Sequence, residues 1–138
     1  MNKINSVFIA PLNIPINYTY SVEDLTKKYK GEADGITDKD VILGIFDPNI
    51  HEIFLGNDTP DRNEIRTLMH ECVEAMNDVC ELNLDNHTKV VALENAITGF
   101  IIENQDLVKR IQEVLGKKKE RKTRRGTKNK NLQGSKRV

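Results

Sequence analysis

The sequence predicts an α+β fold in which a β-hairpin, part of a small antiparallel sheet, precedes a three-helix segment. Residues 41–46 and 51–56 are apolar runs on either side of an Asp-Pro-Asn turn, which is typical of a hairpin. After the hairpin, the apolar residues recur every three or four positions, which indicates helices. Strands first and helices afterwards is the order of an α+β layout.

The segments before the hairpin are short. Residues 6–10 form an apolar run followed by prolines, which predicts a strand or a sheet-edge segment. Ser21 can cap a short helix that ends at Gly31. Residues 32–40 are rich in Gly and Asp and predict a loop.

A long helix is predicted over residues 60–81. Pro60 suits its first turn, and Asp61 with Glu64 three residues later forms a candidate capping box. The apolar positions at three- and four-residue intervals are expected to face the core. These positions are Ile65, Leu68, Met69, Cys72, Met76, Val79 and Cys80.

Two further helices are predicted after it. The Asp-Asn pair at 85–86 can cap a helix over 87–103, and a third helix can open at 104–105 and end near Gly116. The expected apolar stripe of the second helix consists of Val90, Leu93, Ile97, Phe100 and Ile101.

Composition limits the class of protein. The 138 residues favour one domain, and no apolar run approaches the roughly 20 residues that a membrane helix needs. No secretory signal is visible at the N-terminus, so a cytoplasmic protein is expected. Cys72 and Cys80 lie too far apart along one helix to bridge within it, which favours reduced thiols packed as small hydrophobic groups.

The net charge of zero is the sum of two oppositely charged parts of the chain. Residues 117–138 carry 11 Lys and Arg and one acid, a net charge of +10, so residues 1–116 carry −10. A segment with so few apolar residues is expected to be a disordered basic tail after a domain of residues 1–116. Its charge could bind nucleic acid or another polyanion. The candidate phosphate-binding residues are Lys117, Lys118, Lys119, Arg121, Lys122, Arg124 and Arg125.

Candidate chemistry lies at residues 70–74, His-Glu-Cys-Val-Glu. His70 and Glu74 fall about 40° apart on one face of the predicted helix, away from its main core stripe. An imidazole and a carboxylate at this spacing can reach one metal ion, which is the basis of the zincin H-E-x-x-H helix. Glu71 can then act as general base toward a metal-bound water.

Two residues are candidates for a third ligand. His87 follows Glu74 by 13 residues, at the start of the next helix. Glu94 borders the apolar stripe of that helix, where a buried carboxylate needs a partner or a metal. In an antiparallel helix pair Glu94 would lie level with Glu74, about 10 Å beyond His87, so simple geometry favours Glu94. His51, beside the hairpin turn, is expected to be a surface residue.

Four stretches resemble a known family. Residues 67–77 (TLMHECVEAMN), 82–87 (LNLDNH), 93–97 (LENAI) and 102–104 (IEN) look like the small phage-type metallopeptidases of minimal zincin build. The spacing of the motif to the later His is similar to that of SprT-like proteases. The resemblance covers roughly residues 41–104.

The resemblance implies a set of site residues. His70, Glu74 and His87 would be ligands of Zn²⁺ or another divalent transition metal, and Glu71 would be the catalytic base. Independently of the resemblance, the position of Glu94 beside the apolar stripe makes it an alternative third ligand, or a residue that orients a His ligand through a hydrogen bond. The chain departs from the family pattern at Glu74, where the pattern has His.

Two functions follow from these features. One is a zinc-dependent metallopeptidase of phage or prophage type, in which an edge strand at residues 51–56 aligns an extended peptide or protein substrate. The other is a non-catalytic scaffold or metal-site protein whose basic tail binds nucleic acid or another polyanion. The sequence contains no Gly-rich phosphate loop and no Ser/His/Asp constellation.

Overall fold

The computed structural model describes residues 3–30 and 41–116 and confirms the α+β class. The predicted loop at 32–40 and the predicted basic tail at 117–138 lie outside the described residues. Contacts divide the chain into two compact units, residues 1–97 and 98–138, and the predicted domain of residues 1–116 stays a prediction. The elements are β1 (Ser6–Ile9), β2 (Leu12–Asn17), α1 (Val22–Tyr29), β3 (Gly44–Asp47), β4 (Glu52–Leu55), α2 (Asp61–Val79), α3 (His87–Glu103) and α4 (105–116).

The strands form one mixed sheet in the order β1-β2-β4-β3. The predicted hairpin is confirmed as β3 and β4, which pair antiparallel with Asp47 opposite Glu52. The predicted strand near residues 6–10 is confirmed as β1, at one edge of the sheet. The expectation that residues 51–56 form an edge strand is wrong, because β4 lies between β2 and β3 and the free edge of the hairpin is β3.

Strand β2 was missed because it contains Pro15, which argues against a central strand. The backbone explains how the proline fits. The Ile16 N–H donates to Asn5 O (2.9 Å), on the side of β1. Backbone groups alternate along a strand, so the Pro15 nitrogen faces the other side. Parallel pairing with β4 begins only at Ile16, opposite Ile53, so no ladder hydrogen bond is lost at the proline.

Helices cover both faces of the sheet. On one face, Ile14, Ile53 and Leu55 pack with residues of α2 in the main core cluster. On the other face, Phe54 packs with Leu25 of α1. Neighbouring residues of β4 thus point into different clusters, because side chains alternate across a strand. The predicted helix α1 is confirmed. Its N-cap is Ser21, whose hydroxyl accepts the Asp24 N–H at 3.1 Å.

The core face of α2 differs in part from the predicted stripe. Leu68 and Cys72 are buried as expected, but Ile65 is 41% exposed and Cys80 is exposed. Ala75, which the stripe omitted, is fully buried against the sheet. The core therefore contacts α2 from Leu68 to Val79, and Ile65 and Cys80 at the two ends of the predicted stripe lie outside it.

The predicted capping box at the start of α2 is wrong. The N-cap is Pro60, which has no side-chain hydrogen bond to the helix. Glu64 instead turns inward, where it is 8% exposed and forms an ion pair with Lys3. A buried carboxylate requires such a partner. The ion pair therefore links α2 to the segment before β1, which carries Lys3.

Helix α3 is confirmed with its predicted cap, since the Asn86 side chain accepts the Lys89 N–H at 2.9 Å. Its predicted apolar stripe is wrong in the second unit, where Phe100 is 50% and Ile101 is 42% exposed. Val90, in the first unit, is buried. No described helix has the length and apolar character to span a membrane.

Gly44 sets the distance between β3 and α2. A Cβ atom at this position would lie 2.6 Å from Thr67 Cγ2, 2.7 Å from Leu55 Cδ2 and 3.1 Å from the carbonyl oxygen of Phe54. Such distances are shorter than van der Waals contact, so a larger residue would force the side chains of Thr67 and Leu55, or β3 itself, to shift.

We expect Gly44→Ala to lower the free energy of unfolding by about 1–3 kcal/mol, the usual cost of overpacking, as measured by urea denaturation. Gly99→Ala is the matched control, because a Cβ at Gly99 meets no atom within 4 Å. Its effect should have the opposite sign, a gain of about 0.5–1 kcal/mol from helix propensity. Equal stability of Gly44→Ala and the wild type would contradict the close approach of β3 to α2.

Candidate metal centre

The side chains of His70 and Glu74 lie on adjacent turns of α2 and face the same cleft. His70 Nε2 lies 3.7 Å from Glu74 Oε1, and the two side chains are 22% and 35% exposed. Their orientation follows from the packing of α2. Leu68, Cys72 and Ala75 face the sheet, whereas His70 and Glu74 lie on another side of the helix and stay partly exposed.

His87 joins this pair from the start of α3. One nitrogen of His70, one oxygen of Glu74 and one nitrogen of His87 all lie within 4.8 Å of one another. The two imidazole rings are 5.2 Å apart between centroids. The structure therefore brings together the three residues proposed as metal ligands, and their function as ligands stays a prediction.

Glu94 contacts the same His from the opposite side. Its Oε2 lies 2.7 Å from His70 Nδ1, and the Glu94 side chain is 17% exposed. His87 and Glu94 are seven residues apart, which places them about two turns apart on one face of α3. Helix α3 thus supplies one residue to the three-residue cluster and a second residue behind the His70 ring.

The hydrogen bond to Glu94 determines which nitrogen of His70 is available. An ionised carboxylate can only accept, so Nδ1 carries the proton and donates it to Glu94. In the neutral ring, Nε2 then keeps its lone pair and faces Glu74. In many metal sites, a carboxylate that accepts a hydrogen bond from the far nitrogen of a His ligand fixes the tautomer and the ring orientation.

The three donors fit a divalent transition metal. Two imidazole nitrogens and one carboxylate oxygen are the ligand set of several catalytic zinc sites. Ligands of a tetrahedral zinc ion lie about 3.3 Å apart, given bonds of about 2.0–2.1 Å. The 3.7 Å between His70 and Glu74 is close to that spacing, and small side-chain rotations would close the distances of up to 4.8 Å to His87.

Glu71 lines the cleft beside this cluster, and it is only 7% exposed. Its Oε2 accepts the backbone N–H of Phe46 at 2.8 Å. Burial raises the pKa of Glu71 to about 7, against the opposing effects of His70 and of the Phe46 hydrogen bond. The N–H of Phe46 is available because it points away from β4, along the free edge of the sheet. Sequence periodicity gave no signal for this contact.

The cleft has a volume of about 960 Å³. Strand β3 and its turn form one wall, the outward face of α2 forms the floor, and the α2–α3 connection forms the other wall. None of the described residues that line it is Lys or Arg. Six carboxylates line it, from Asp47, Glu71, Glu74, Asp78, Glu81 and Asp85.

Three of these carboxylates follow one another along α2 and its C-terminal end and, apart from Glu74, were not among the predicted site residues. Asp78 and Glu81 follow Glu74 by four and seven residues, so the three carboxylates lie near one line along α2 and its C-terminal end. The same helical periodicity that picked out His70 and Glu74 could have extended the stripe to these residues.

The remaining His and both Cys residues lie outside the cluster. His51 is exposed in the hairpin turn, as expected of a surface residue, with Nε2 3.5 Å from Asp78 Oδ2. Both thiols are free, as predicted. Cys72 is buried, and burial raises its pKa to about 11. Cys80 is exposed, so the expectation that it packs as a small hydrophobic group is wrong.

Comparison of the chain with protein-family models, curated proteins and solved structures found no match. The metal centre is therefore inferred from the cluster of His70, Glu74 and His87 and from the Glu94 contact to His70.

Proposed function

We propose that the protein is a metal-dependent hydrolase of the zincin type. His70, Glu74 and His87 would hold Zn²⁺ or a similar divalent transition metal, with Glu71 as the general base. The observation that carries the proposal is the convergence of two imidazoles and one carboxylate within 4.8 Å, at the floor of a cleft that a fourth polar residue, Glu71, also lines.

Each side chain has a distinct role in this proposal. A bound Zn²⁺ would polarise a scissile carbonyl and acidify a water molecule. Glu71 would accept a proton from that water and later deliver it to the leaving amine. The Phe46 N–H holds Glu71 Oε2, which leaves Oε1 for the proton. Glu94 would keep His70 Nε2 directed at the cleft.

Strand β3 would align the substrate. Phe46 donates its N–H away from β4, so Phe46 and, two residues earlier, Gly44 direct their backbone groups to the free edge. Both residues line the cleft. An extended peptide could therefore pair with this edge by β-augmentation. The Phe46 N–H is already taken by Glu71, so that pairing would use the Phe46 carbonyl and the backbone of Gly44.

The charge of the cleft favours a cationic peptide. Its six carboxylates are opposed by no Lys or Arg among the described lining residues. One of them, Asp85, forms an ion pair with Lys89 at 2.7 Å. Even with a divalent cation bound, the cleft would stay negative, and it would attract Lys- or Arg-rich segments.

Zinc binding tests the metal centre. We expect full-length protein to bind one equivalent of Zn²⁺, and His87→Ala to weaken that binding by more than about 100-fold, since the loss of outer-shell partners alone costs 10–100-fold. Affinity is measured by competition with a chromophoric chelator. His87 is exposed, so its removal should leave the thermal unfolding of the metal-free protein unchanged.

His51→Ala is the matched control, since it removes an exposed imidazole that lies outside the cluster. It should bind zinc as the wild type does. A wild-type protein that binds no zinc, or a His87→Ala protein that binds it equally well, would overturn the proposed centre.

Hydrolysis tests the catalytic assignment. We expect zinc-loaded protein to cleave a quenched fluorescent peptide with alternating Lys residues faster than its Glu counterpart, with a preference that shrinks as salt rises. Glu71→Gln should lower kcat by about 10²–10⁴-fold, because it removes the proton acceptor. Its zinc affinity should stay within a few-fold of the wild type.

Glu23→Gln, on the exposed side of α1, is the control for a general change of charge. Cleavage by Glu71→Gln at the wild-type rate would eliminate Glu71 as the base. Zinc binding without any peptide cleavage would leave a metal-binding protein that is not a peptidase.

The basic tail supports a second candidate function, binding of nucleic acid. Its net charge of +10 lies within 22 residues, 117–138. Binding by counterion release would weaken steeply with salt. We expect affinity for duplex DNA to fall by at least about 100-fold between 50 and 200 mM salt, and to disappear in a 1–116 truncation, as measured by fluorescence anisotropy. An affinity independent of the tail or of salt would contradict this second function.

A further inference from the structure

Asn77 makes two hydrogen bonds to a single residue of the α2–α3 connection. Its Nδ2 donates to the carbonyl oxygen of Leu84 at 3.0 Å, and its Oδ1 accepts the Leu84 N–H at 2.9 Å. The side-chain amide thus satisfies both backbone groups of Leu84, in the manner of a neighbouring strand. Asn77 is not one of the site residues that the sequence predicts.

The connection over residues 80–86 has few other attachments. Leu82 is 43% exposed, so this apolar side chain does not anchor it. Glu81 and Asn83 have positive φ angles of 52° and 58°, which non-glycine residues rarely adopt without support from their surroundings. Two backbone hydrogen bonds join the first residues of the connection to α2, from Cys80 N–H to Met76 O at 2.8 Å and from Leu82 N–H to Asn77 O at 3.2 Å.

The position of His87 depends on this connection. Leu84 precedes His87 by only three residues, and Asn86, between them, caps α3. Asn77 follows Glu74 by three residues, so it lies about one helical turn from a proposed ligand. One amide therefore joins the helix that carries His70 and Glu74 to the segment that delivers His87.

We propose that Asn77 is a positioning residue of the metal centre, which fixes the start of α3 so that His87 meets His70 and Glu74. The inference rests on the proposed metal site but does not require the protein to be a peptidase. Asn77 also lines the cleft, but in this scheme it binds neither metal nor substrate and acts on the metal centre through His87.

Zinc affinity in a double-mutant cycle tests this role. We expect Asn77→Ala to weaken Zn²⁺ binding by about 10–100-fold, the usual effect of losing an outer-shell partner. In a His87→Ala background the same substitution should change affinity by less than about threefold, because the residue through which it acts is gone. Asn63→Ala, an exposed Asn on α2, is the matched control and should bind zinc normally.

A metal-free measurement separates this inference from the metal site. In the NMR spectrum of the metal-free wild type we expect a nuclear Overhauser effect between the rings of His70 and His87, which are 5.2 Å apart. That signal should disappear in Asn77→Ala, and the Leu84 amide should exchange faster with solvent.

The outcomes are distinct. If the wild type binds no zinc, the proposed function fails, and the ring contact alone decides the role of Asn77. If zinc binds and Asn77→Ala binds it equally well, or keeps the ring contact, the positioning role is refuted. An equal loss of zinc affinity with and without His87 would mean that Asn77 merely stabilises the fold, which also refutes it.

Discussion

The packing of α2 on the sheet is the constraint on which the rest of the structure depends. The helix buries Leu68, Cys72 and Ala75 against the sheet, and Gly44 lets β3 approach it closely at Thr67. With that face committed to the core, the rotation of the helix is fixed. This rotation directs His70 and Glu74 into the cleft. It also brings Glu71 to the free edge of β3, where it accepts the Phe46 N–H.

Electrostatics explains why the cleft is built from paired groups. Glu94 and Glu71 are both largely withdrawn from water, and an unpaired carboxylate there would be costly. Glu94 pairs with His70. Glu71 accepts the Phe46 N–H, and its raised pKa lowers the cost of burial because the neutral form becomes accessible near pH 7. The His70 ring lies between Glu94 and Glu74, with Nδ1 toward Glu94 and Nε2 toward Glu74. A divalent cation between His70, Glu74 and His87 would reduce, without removing, the net negative charge of the residues that line the cleft.

Local signals in the sequence were sufficient wherever neighbours along the chain decide the structure. The hairpin turn and the Ser21 and Asn86 caps act within a few residues, and each was confirmed. The three- and four-residue spacing correctly predicted that α2 and α3 are helices, but only part of each predicted apolar stripe is buried. Signals that depend on distant partners failed. Glu64 was expected to cap its own helix, but Lys3 lies within reach in the fold. Strand β2 was hidden by a proline whose missing N–H faces the one side where no hydrogen bond is required.

The sequence by itself determined the α+β class, the helix that carries His70 and Glu74, and the candidates for a third donor. It left His87 and Glu94 as alternatives. Helical spacing predicts which residues of one helix share a face, but it does not predict how two helices pack against each other. Only the tertiary structure decided that His87 joins the cluster while Glu94 binds the far side of the His70 ring. The reason is that both depend on where the α2–α3 connection turns, and that turn is held by Asn77 through contacts that no periodicity encodes.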